Sequence, residues 1–172
     1  MSETVLLTGI SGYIGLYCAK ELLDAGLKVR GTIRSSKKES MVLNTLAHCE
    51  GVSQNLTLVT LDLTLNDGWE SALEGCDYVM HVASPFRIAN PKKEIEMMNP
   101  AVDGTRRVLL ASQRTGVKRV VVTSSIVSMM ASLRSGRFGP DDWTDVTYPN
   151  LNTYIRSKTL AEKMAWDWFN NL

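Results

Sequence analysis

Short apolar runs alternate with amphipathic stretches along the whole chain, and this alternation predicts its elements. Runs such as Val5-Leu-Leu7 and Val120-Val-Val122 are continuously apolar, which is typical of parallel strands buried on both faces. Between the runs, apolar residues recur at helical spacing. The pattern predicts strands at about 3–8, 28–33, 56–61, 77–82 and 118–123, and helices at about 12–25, 38–48, 67–74, 92–115 and 152–170.

Strands that alternate with helices predict an α/β fold built on a doubly wound parallel sheet. We expect about five strands in the Rossmann-type order 3-2-1-4-5. The chain has 172 residues, the size of one domain, and we expect a single NAD(P)-binding domain over 1–172. The stretch 129–151 is predicted to be irregular, and long loops inside compact domains are usually functional.

Composition narrows the function classes. With 44% hydrophobic residues, 22% charged residues and a net charge of +1, the chain is typical of a globular protein and gives no reason to expect nucleic acid or a membrane as a partner. The three cysteines are spaced neither for a metal nor for a redox pair, and neither histidine has a ligand partner at useful spacing. We therefore expect a cytoplasmic protein without a metal.

Three glycines, Gly9, Gly12 and Gly15, follow the first strand and open the first helix. Without side chains there, the backbone can turn tightly and approach a pyrophosphate at the helix N-terminus. An ordinary strand–helix turn would have the same triplet, but the βαβ context favours dinucleotide binding. The predicted cofactor residues of this loop are Gly9, Ser11, Gly12, Tyr13, Ile14 and Gly15.

The end of the second strand indicates which dinucleotide binds. NAD sites place an acid there to bind the ribose 2′-hydroxyl. This chain has Arg34 instead, followed by Ser35, Lys37 and Lys38, with no acid before Glu39. A guanidinium can bind a 2′-phosphate, whereas the alternative is a solvated basic run. We favour NADP(H) over NAD(H).

The ends of the later strands complete the predicted cofactor site. Asp62 is expected at the adenine amino group, although a loop or cap role is the alternative. Small or apolar residues at the remaining strand ends are expected beside the cofactor, namely Leu63, Val82, Ala83, Ser84 and Thr123.

Tyr154 and Lys158 lie four residues apart in the last predicted helix, which Asn152 is expected to cap. An isolated tyrosine is a poor acid–base catalyst at neutral pH, and an ammonium one turn away stabilises its phenolate. Ser125 follows the fifth strand and can donate a hydrogen bond to a substrate oxygen. A Tyr-x-x-x-Lys pattern alone is common by chance, but the upstream serine favours catalysis. Tyr154 is also expected to lie beside the nicotinamide of the cofactor.

These motifs resemble the extended short-chain dehydrogenase/reductase superfamily, and more narrowly its dihydroflavonol-reductase and cinnamoyl-CoA-reductase-like branch, also described as NAD-dependent epimerase/dehydratase-type. The supporting stretches run through the chain: Thr8-Gly-Ile-Ser-Gly-Tyr-Ile-Gly15, Val29-Arg-Gly-Thr-Ile-Arg34, Gly75-Cys-Asp-Tyr-Val-Met-His-Val-Ala-Ser-Pro85, Pro100-Ala-Val-Asp-Gly-Thr105, Val121-Val-Thr-Ser-Ser125 and Tyr154-Ile-Arg-Ser-Lys-Thr-Leu-Ala-Glu162. The resemblance implies a Ser125–Tyr154–Lys158 triad, with Lys158 also on the nicotinamide ribose. It also implies NADPH-dependent reduction of a small-molecule carbonyl to an alcohol.

Two departures from the family matter. Plant dihydroflavonol reductases carry an asparagine shortly after the catalytic serine, where this chain has Ile126-Val-Ser-Met-Met-Ala131, which speaks against a flavonoid substrate. Family members usually exceed 300 residues, so we expect this sequence to be the N-terminal portion, lacking the C-terminal strands and substrate lobe. The fifth strand would then be an apolar edge, which predicts self-association. The end of the last helix, including Met164, Trp166, Trp168 and Phe169, would expose part of its apolar face.

Two other functions stay open. Sugar-nucleotide epimerases and dehydratases share the glycine loop and the triad but commonly hold NAD, which Arg34 disfavours. A cofactor-binding module without turnover is the alternative outside the enzymes. Such relatives typically lose the tyrosine or lysine of the triad, and both are present here.

Overall fold

The structure is a computed structural model that describes residues 2–86, 91–131 and 135–172. Its strands are β1 (Thr4–Thr8), β2 (Lys28–Ile33), β3 (Leu56–Thr60), β4 (Tyr78–His81) and β5 (Arg119–Val122). Its helices are α1 (Tyr13–Asp24), α2 (Glu39–Leu46), α3 (Val52–Asn55), α4 (Trp69–Leu73), α5 (Ile95–Met98), α6 (Gly104–Arg114), α7 (Val127–Met130) and α8 (Thr153–Asn170). A 3₁₀ turn (Ser36–Lys38) precedes α2, and a π-helical turn (Asn99–Asp103) joins α5 to α6.

The five strands form one parallel sheet in the order β3-β2-β1-β4-β5, which confirms the predicted fold. Leu6 in the central strand lies opposite Arg30 of β2 and Val79 of β4. Because every strand is parallel, all five carboxyl ends meet at one edge of the sheet.

The chain divides into two compact units. The first, called here the sheet unit, consists of Met1–Ala83 and Val108–Thr123 and holds all five strands. The second, called the helical unit, consists of Ser84–Arg107 and Ser124–Leu172. The expectation of one domain over 1–172 stays a prediction.

Helices cover both faces of the sheet unit. On one face Leu7 packs with Ala19 and Leu23 of α1, and with Val42 and Leu46 of α2. On the other face Leu6 belongs to a cluster with α4 and α6 that includes Trp69, Leu73, Val108 and Ala111. Because successive side chains of a strand point to opposite faces, the run Val5-Leu-Leu7 supplies both cores.

In the helical unit, α5, the π-helical turn and α7 all pack against α8. The predicted helix at about 92–115 is interrupted, because Pro100 has no N–H to donate and stands at the start of the π-helical turn. Helices α3 and α7 are absent from the predicted elements, since four residues are too few to produce a helical period. Within the predicted irregular stretch, 132–134 lie outside the described residues.

The expectation that β5 is buried on both faces is wrong. Val121 is 51% exposed, and the strand alternates between exposed and half-buried residues. The reason is its place at the edge of the sheet, where it pairs with β4 alone among the described strands. Self-association through this edge stays a prediction. At the end of α8, Trp166 and Phe169 are more than half exposed, as expected, whereas Met164 and Trp168 are partly covered.

None of the helices in the described ranges is long and apolar enough to cross a lipid bilayer.

Candidate active site

The glycine loop between β1 and α1 is shaped by missing side chains. Gly9 adopts a φ of +73°, and its carbonyl accepts a 3.0 Å hydrogen bond from the Gly12 amide. A Cβ on Gly15 would collide with the Gly9 carbonyl oxygen and come within 2.9 Å of the Ile10 Cα. A Cβ on Gly9 would lie 3.0 Å from the Ala83 Cα. Only residues without side chains allow the loop to pack this closely.

The N-terminus of α1 is accessible from this loop. Gly12 is its N-cap and offers no side chain to bind the first amides, and Tyr13 and Ile14 are 78% and 56% exposed. Ser11, just before the cap, is half-buried. First-turn amides with no side-chain cap, at the positive end of the helix dipole, suit an anion such as a pyrophosphate.

Arg34 follows β2 and is exposed, and the basic turn after it is ordered by Ser35. The Ser35 hydroxyl accepts a hydrogen bond from the Lys37 amide at 3.4 Å and caps the 3₁₀ turn. Lys37 and Lys38 therefore lie in a 3₁₀ turn that begins two residues after Arg34.

Asp62 follows β3 and forms a local turn. Its Oδ1 accepts hydrogen bonds from the Thr64 amide at 2.8 Å and from the Thr64 hydroxyl at 2.7 Å. These bonds, together with the charge of Arg34, hold the pKa of Asp62 below its usual value. The loop role considered as an alternative for Asp62 is thus present. Its neighbour Leu63 is half-buried and packs on the α4–α6 core.

A buried hydrogen-bond pair supports the ends of β1 and β4. The Thr8 hydroxyl lies 2.8 Å from the Nδ1 of His81 and accepts a 3.0 Å hydrogen bond from the Ala83 amide. Thr8 is fully buried and His81 is 3% exposed. Thr8 thus binds the amide of Ala83, the residue that limits the space for a side chain at Gly9. Sequence reasoning missed Thr8, although a threonine next to the first glycine could have indicated it.

The remaining predicted cofactor residues follow β4 and β5 in the chain. Val82 is half-buried and packs against the α1–α2 core. Thr123 follows β5, is exposed, and its amide donates a 2.9 Å hydrogen bond to the His81 carbonyl. Ser84 is the first residue of the helical unit and is half-buried.

In the helical unit, Tyr154 and Lys158 both lie on α8, one turn apart. The helix begins as predicted, because the Asn152 side chain accepts a 2.7 Å hydrogen bond from the Tyr154 amide. The ring of Tyr154 is half-buried and contacts the ring of Phe86 edge-on, with the centroids 5.2 Å apart.

Lys158 is only 6% exposed. Burial lowers the pKa of its ammonium, and the negative charge of Glu162, one turn further along α8, opposes that shift. Lysines of globular proteins are rarely buried to this extent. A buried lysine one helical turn from a tyrosine is typical of acid–base sites.

Ser125 precedes α7 in the same unit and is half-buried. Its carbonyl accepts a 2.9 Å hydrogen bond from the Ser128 amide, which forms the turn into α7. Ser125 thus lies two residues before α7, and α7 packs against the helix of Tyr154 and Lys158.

Two residues beside the predicted triad were missed at the sequence level. Phe86 contacts the Tyr154 ring but is 68 positions away in sequence, so no local pattern connects the two. Glu162 accepts a hydrogen bond from the Ser124 hydroxyl. Its four-residue spacing from Lys158 was a usable signal, because residues i and i+4 of a helix share a face.

The family profile described as "NAD dependent epimerase/dehydratase family" matches residues 5–171. The chain belongs to this family. The match spans the sheet, the glycine loop and the whole of α8, so the elements described above are those of the NAD dependent epimerase/dehydratase family.

Relatives place the chain more narrowly within the NAD dependent epimerase/dehydratase family. It is 38% identical to cinnamoyl-CoA reductase 2 of Medicago truncatula over 96% of this chain and 49% of that protein. It is 34% identical to dihydroflavonol 4-reductase of Arabidopsis thaliana over 96% of this chain and 45% of that protein. The resemblance to this reductase branch is therefore confirmed. The chain spans about half the length of the curated relatives it matches.

The fold has a solved counterpart. The structure matches Gre2 of Candida albicans, solved in complex with NADPH, with a TM-score of 0.83 and 27% sequence identity. The match covers 99% of this chain and 54% of that chain.

Proposed function

We propose that this protein reduces the carbonyl of a small ketone, aldehyde or related molecule to an alcohol, with NADPH as the hydride source and Tyr154 as the proton donor. The observation that carries the proposal is the burial of Lys158 one turn after Tyr154 on α8. A buried cation beside a phenol has a clear chemical use, since it stabilises the phenolate that remains after proton transfer.

The residues of the helical unit divide the chemistry between them. The Tyr154 hydroxyl gives its proton to the substrate oxygen as negative charge develops there. The Lys158 ammonium stabilises the phenolate that is left behind, and Ser125 donates a hydrogen bond to the same substrate oxygen. NADPH, when bound, supplies the hydride to the carbonyl carbon. The exposed ring of Phe86, seated against Tyr154, offers an apolar wall on which a substrate can pack.

The sheet unit fits NADPH at two places. The glycines let the backbone turn tightly before α1, where a Cβ at Gly15 would collide with the loop, and the first-turn amides of α1, which have no side-chain cap, can bind the pyrophosphate. Arg34 can form a charge-assisted contact with the 2′-phosphate, and the basic turn of Lys37 and Lys38 adds positive charge. The similarity to Gre2, which was solved with NADPH, supports the same assignment.

The mechanism predicts the effect of removing one oxygen atom. Tyr154→Phe keeps the ring that contacts Phe86 but removes the proton donor, so NADPH consumption with a responsive carbonyl substrate should fall by at least about a hundredfold. The matched control is Tyr148→Phe, because Tyr148 is an exposed tyrosine in the segment before α8. We expect that control to retain wild-type turnover. Full turnover by Tyr154→Phe, or no NADPH consumption by the wild type across a panel of ketones and aldehydes, would contradict the proposal.

Epimerase or dehydratase activity on a sugar nucleotide is the second candidate, because the family description names these activities. Those enzymes commonly hold NAD, for which an acid at the end of β2 is the usual partner. Here the residue after β2 is Arg34, so the reductase is favoured. Conversion of a sugar nucleotide without net consumption of cofactor would favour the epimerase instead.

A further inference from the structure

The carboxylate of Glu162 lies at the end of a chain of hydroxyl groups in the helical unit. The Ser124 hydroxyl donates a hydrogen bond to Oε2 of Glu162, and the hydroxyls of Ser124 and Ser128 lie 3.4 Å apart. A serine hydroxyl has one proton to donate. Since the proton of Ser124 is given to the carboxylate, Ser128 must be the donor to Ser124. The chain of hydrogen bonds therefore runs from Ser128 through Ser124 to Glu162.

The two serines of this hydroxyl chain flank Ser125, one before it and one after it in sequence. Ser124 precedes Ser125 directly, and the Ser128 amide donates to the Ser125 carbonyl at 2.9 Å. Ser128 is only 1% exposed, so its hydroxyl needs a partner inside the protein. Thr144 secures the other side of α7, because its amide donates to the Ser128 carbonyl at 2.8 Å and its hydroxyl accepts from the Ala131 amide at 3.0 Å.

Glu162 also has an electrostatic effect on Lys158, a second member of the predicted triad. It lies one turn after Lys158 on α8, and its charge favours the ammonium that burial disfavours. The elements packed against α8 carry other acids, namely Glu94 at the N-cap of α5, Glu96 within α5 and Asp103 in the π-helical turn. Glu94 pairs with Arg156 at 3.0 Å. The charge of Lys163 lowers the pKa of Asp145, and the charge of Glu162 favours the ammonium of Lys158.

We propose that Glu162 is a positioning residue that ties the Ser125 turn to α8 through the Ser124 hydroxyl and keeps a negative charge beside the Lys158 ammonium. One carboxylate thus serves two members of the triad without contacting the substrate. The inference rests on the proposed function, whereas the contacts that support it lie within the helical unit alone.

Two substitutions separate the two roles. Glu162→Gln keeps a hydrogen-bond acceptor for Ser124 and removes the charge. Ser124→Ala keeps the charge and removes the hydrogen bond. The matched control is Asp167→Asn, which removes an exposed acid from the same helix, away from the hydroxyl chain.

The first measurement is a pH titration of the lysine side chains by NMR on the protein without cofactor, with the Lys158 signal assigned by its loss in Lys158→Arg. In Glu162→Gln the titration midpoint of Lys158 should fall by about one pH unit, which is a tenfold change in the ratio of ammonium to amine. The midpoint should stay at the wild-type value in Ser124→Ala and in Asp167→Asn. An unchanged midpoint in Glu162→Gln would overturn the charge role.

The second measurement is the pH profile of NADPH consumption. In Glu162→Gln the alkaline fall in kcat should begin at lower pH, because Lys158 loses its proton earlier, whereas damage to the fold alone would lower the rate at every pH. Ser124→Ala should lower kcat about tenfold, as expected when one hydrogen bond that orients a catalytic group is lost. The pH at which kcat begins to fall should stay at the wild-type value. Wild-type kcat in Ser124→Ala would overturn the positioning role, even if Glu162→Gln failed to fold. A shifted Lys158 midpoint in a protein without turnover would support the positioning of Lys158 and count against the proposed function.

Discussion

At the scale of single residues, the candidate site depends on atoms that are missing and on atoms that are buried. The loop's own backbone fills the space that a side chain at Gly15 would need, and Ala83 fills the corresponding space at Gly9. In the helical unit, Lys158 places a charged group where the protein almost excludes water. Burial of a charged group costs stability, so a buried lysine is typical of binding or catalytic sites.

The close packing at Gly15 gives a prediction for the folded state. In Gly15→Ala the new Cβ meets the Gly9 carbonyl, so the loop must shift, and we expect the free energy of unfolding to fall by about 1–3 kcal/mol. NADPH affinity should fall with it. Urea unfolding measures the first effect and calorimetry the second. The control is Gly139→Ala, where the nearest atom to a new Cβ is 4.0 Å away. Equal stability of the two variants would show that the loop tolerates a side chain.

At this scale, local sequence patterns predict features formed by residues close together in the chain, but they do not predict contacts between distant residues. The glycine spacing and the Asn152 cap are readable because each depends on residues within one turn. The Phe86–Tyr154 and Ser124–Glu162 contacts join residues 68 and 38 positions apart, and a sequence does not indicate which of its distant residues meet.

At the scale of elements, α8 carries the predicted acid–base pair and its start is held by one side chain. The Asn152 Oδ1 satisfies the Tyr154 amide, so the cap acts directly on a residue of the proposed mechanism. The same scale shows why β5 departs from expectation, since an edge strand leaves Val121 half exposed despite its apolar sequence.

The cap of α8 can be tested with a matched pair of substitutions. Asn152→Ala removes the acceptor for the Tyr154 amide, and we expect a loss of about 1 kcal/mol in the free energy of unfolding. Asn152→Asp keeps an acceptor and should retain most of the stability. Chemical denaturation of the three proteins measures the difference. If the alanine and aspartate variants were equally stable, the Asn152 hydrogen bond would contribute nothing.

A cluster at the amino edge of the sheet predicts how stability depends on pH. Asp77, just before β4, accepts a 2.9 Å hydrogen bond from the Thr4 amide and pairs with Lys118 at 2.8 Å. The bond from Lys118, followed by that from Thr4, lowers the pKa of Asp77 in the folded state.

Because this pKa is lowered on folding, the stability that Asp77 contributes is present above its unfolded value of about 3.9 and is lost as the pH falls through the folded value. We therefore expect Asp77→Asn to lower the free energy of unfolding at neutral pH and to weaken its dependence on pH below about 4. Urea unfolding between about pH 3 and pH 7 measures both effects. The exposed Asp67 provides the control substitution, Asp67→Asn, which should leave the pH dependence unchanged. If Asp77→Asn lost stability at acid pH as steeply as the wild type does, Asp77 would not be the source of this pH dependence.

At the scale of the whole molecule, the observed strand order confirms the predicted one. The order could be predicted because the alternation of apolar runs and helices leaves few topologies open. The division into a sheet unit and a helical unit could not be predicted in the same way. It depends on which segments pack together, and the chain passes from one unit to the other within α6, where the sequence has no break.

The measurement that tests the central claim most directly is a calorimetric titration of the chain with NADPH and with NADH. The glycine loop and Arg34 predict binding of NADPH with at least about tenfold preference over NADH, as expected for one charge-assisted contact to the 2′-phosphate. Arg34→Ala should remove that preference. Lys28→Ala, at the opposite end of the same strand, should retain it. Tighter binding of NADH by the wild type, or unchanged NADPH affinity in Arg34→Ala, would contradict the claim.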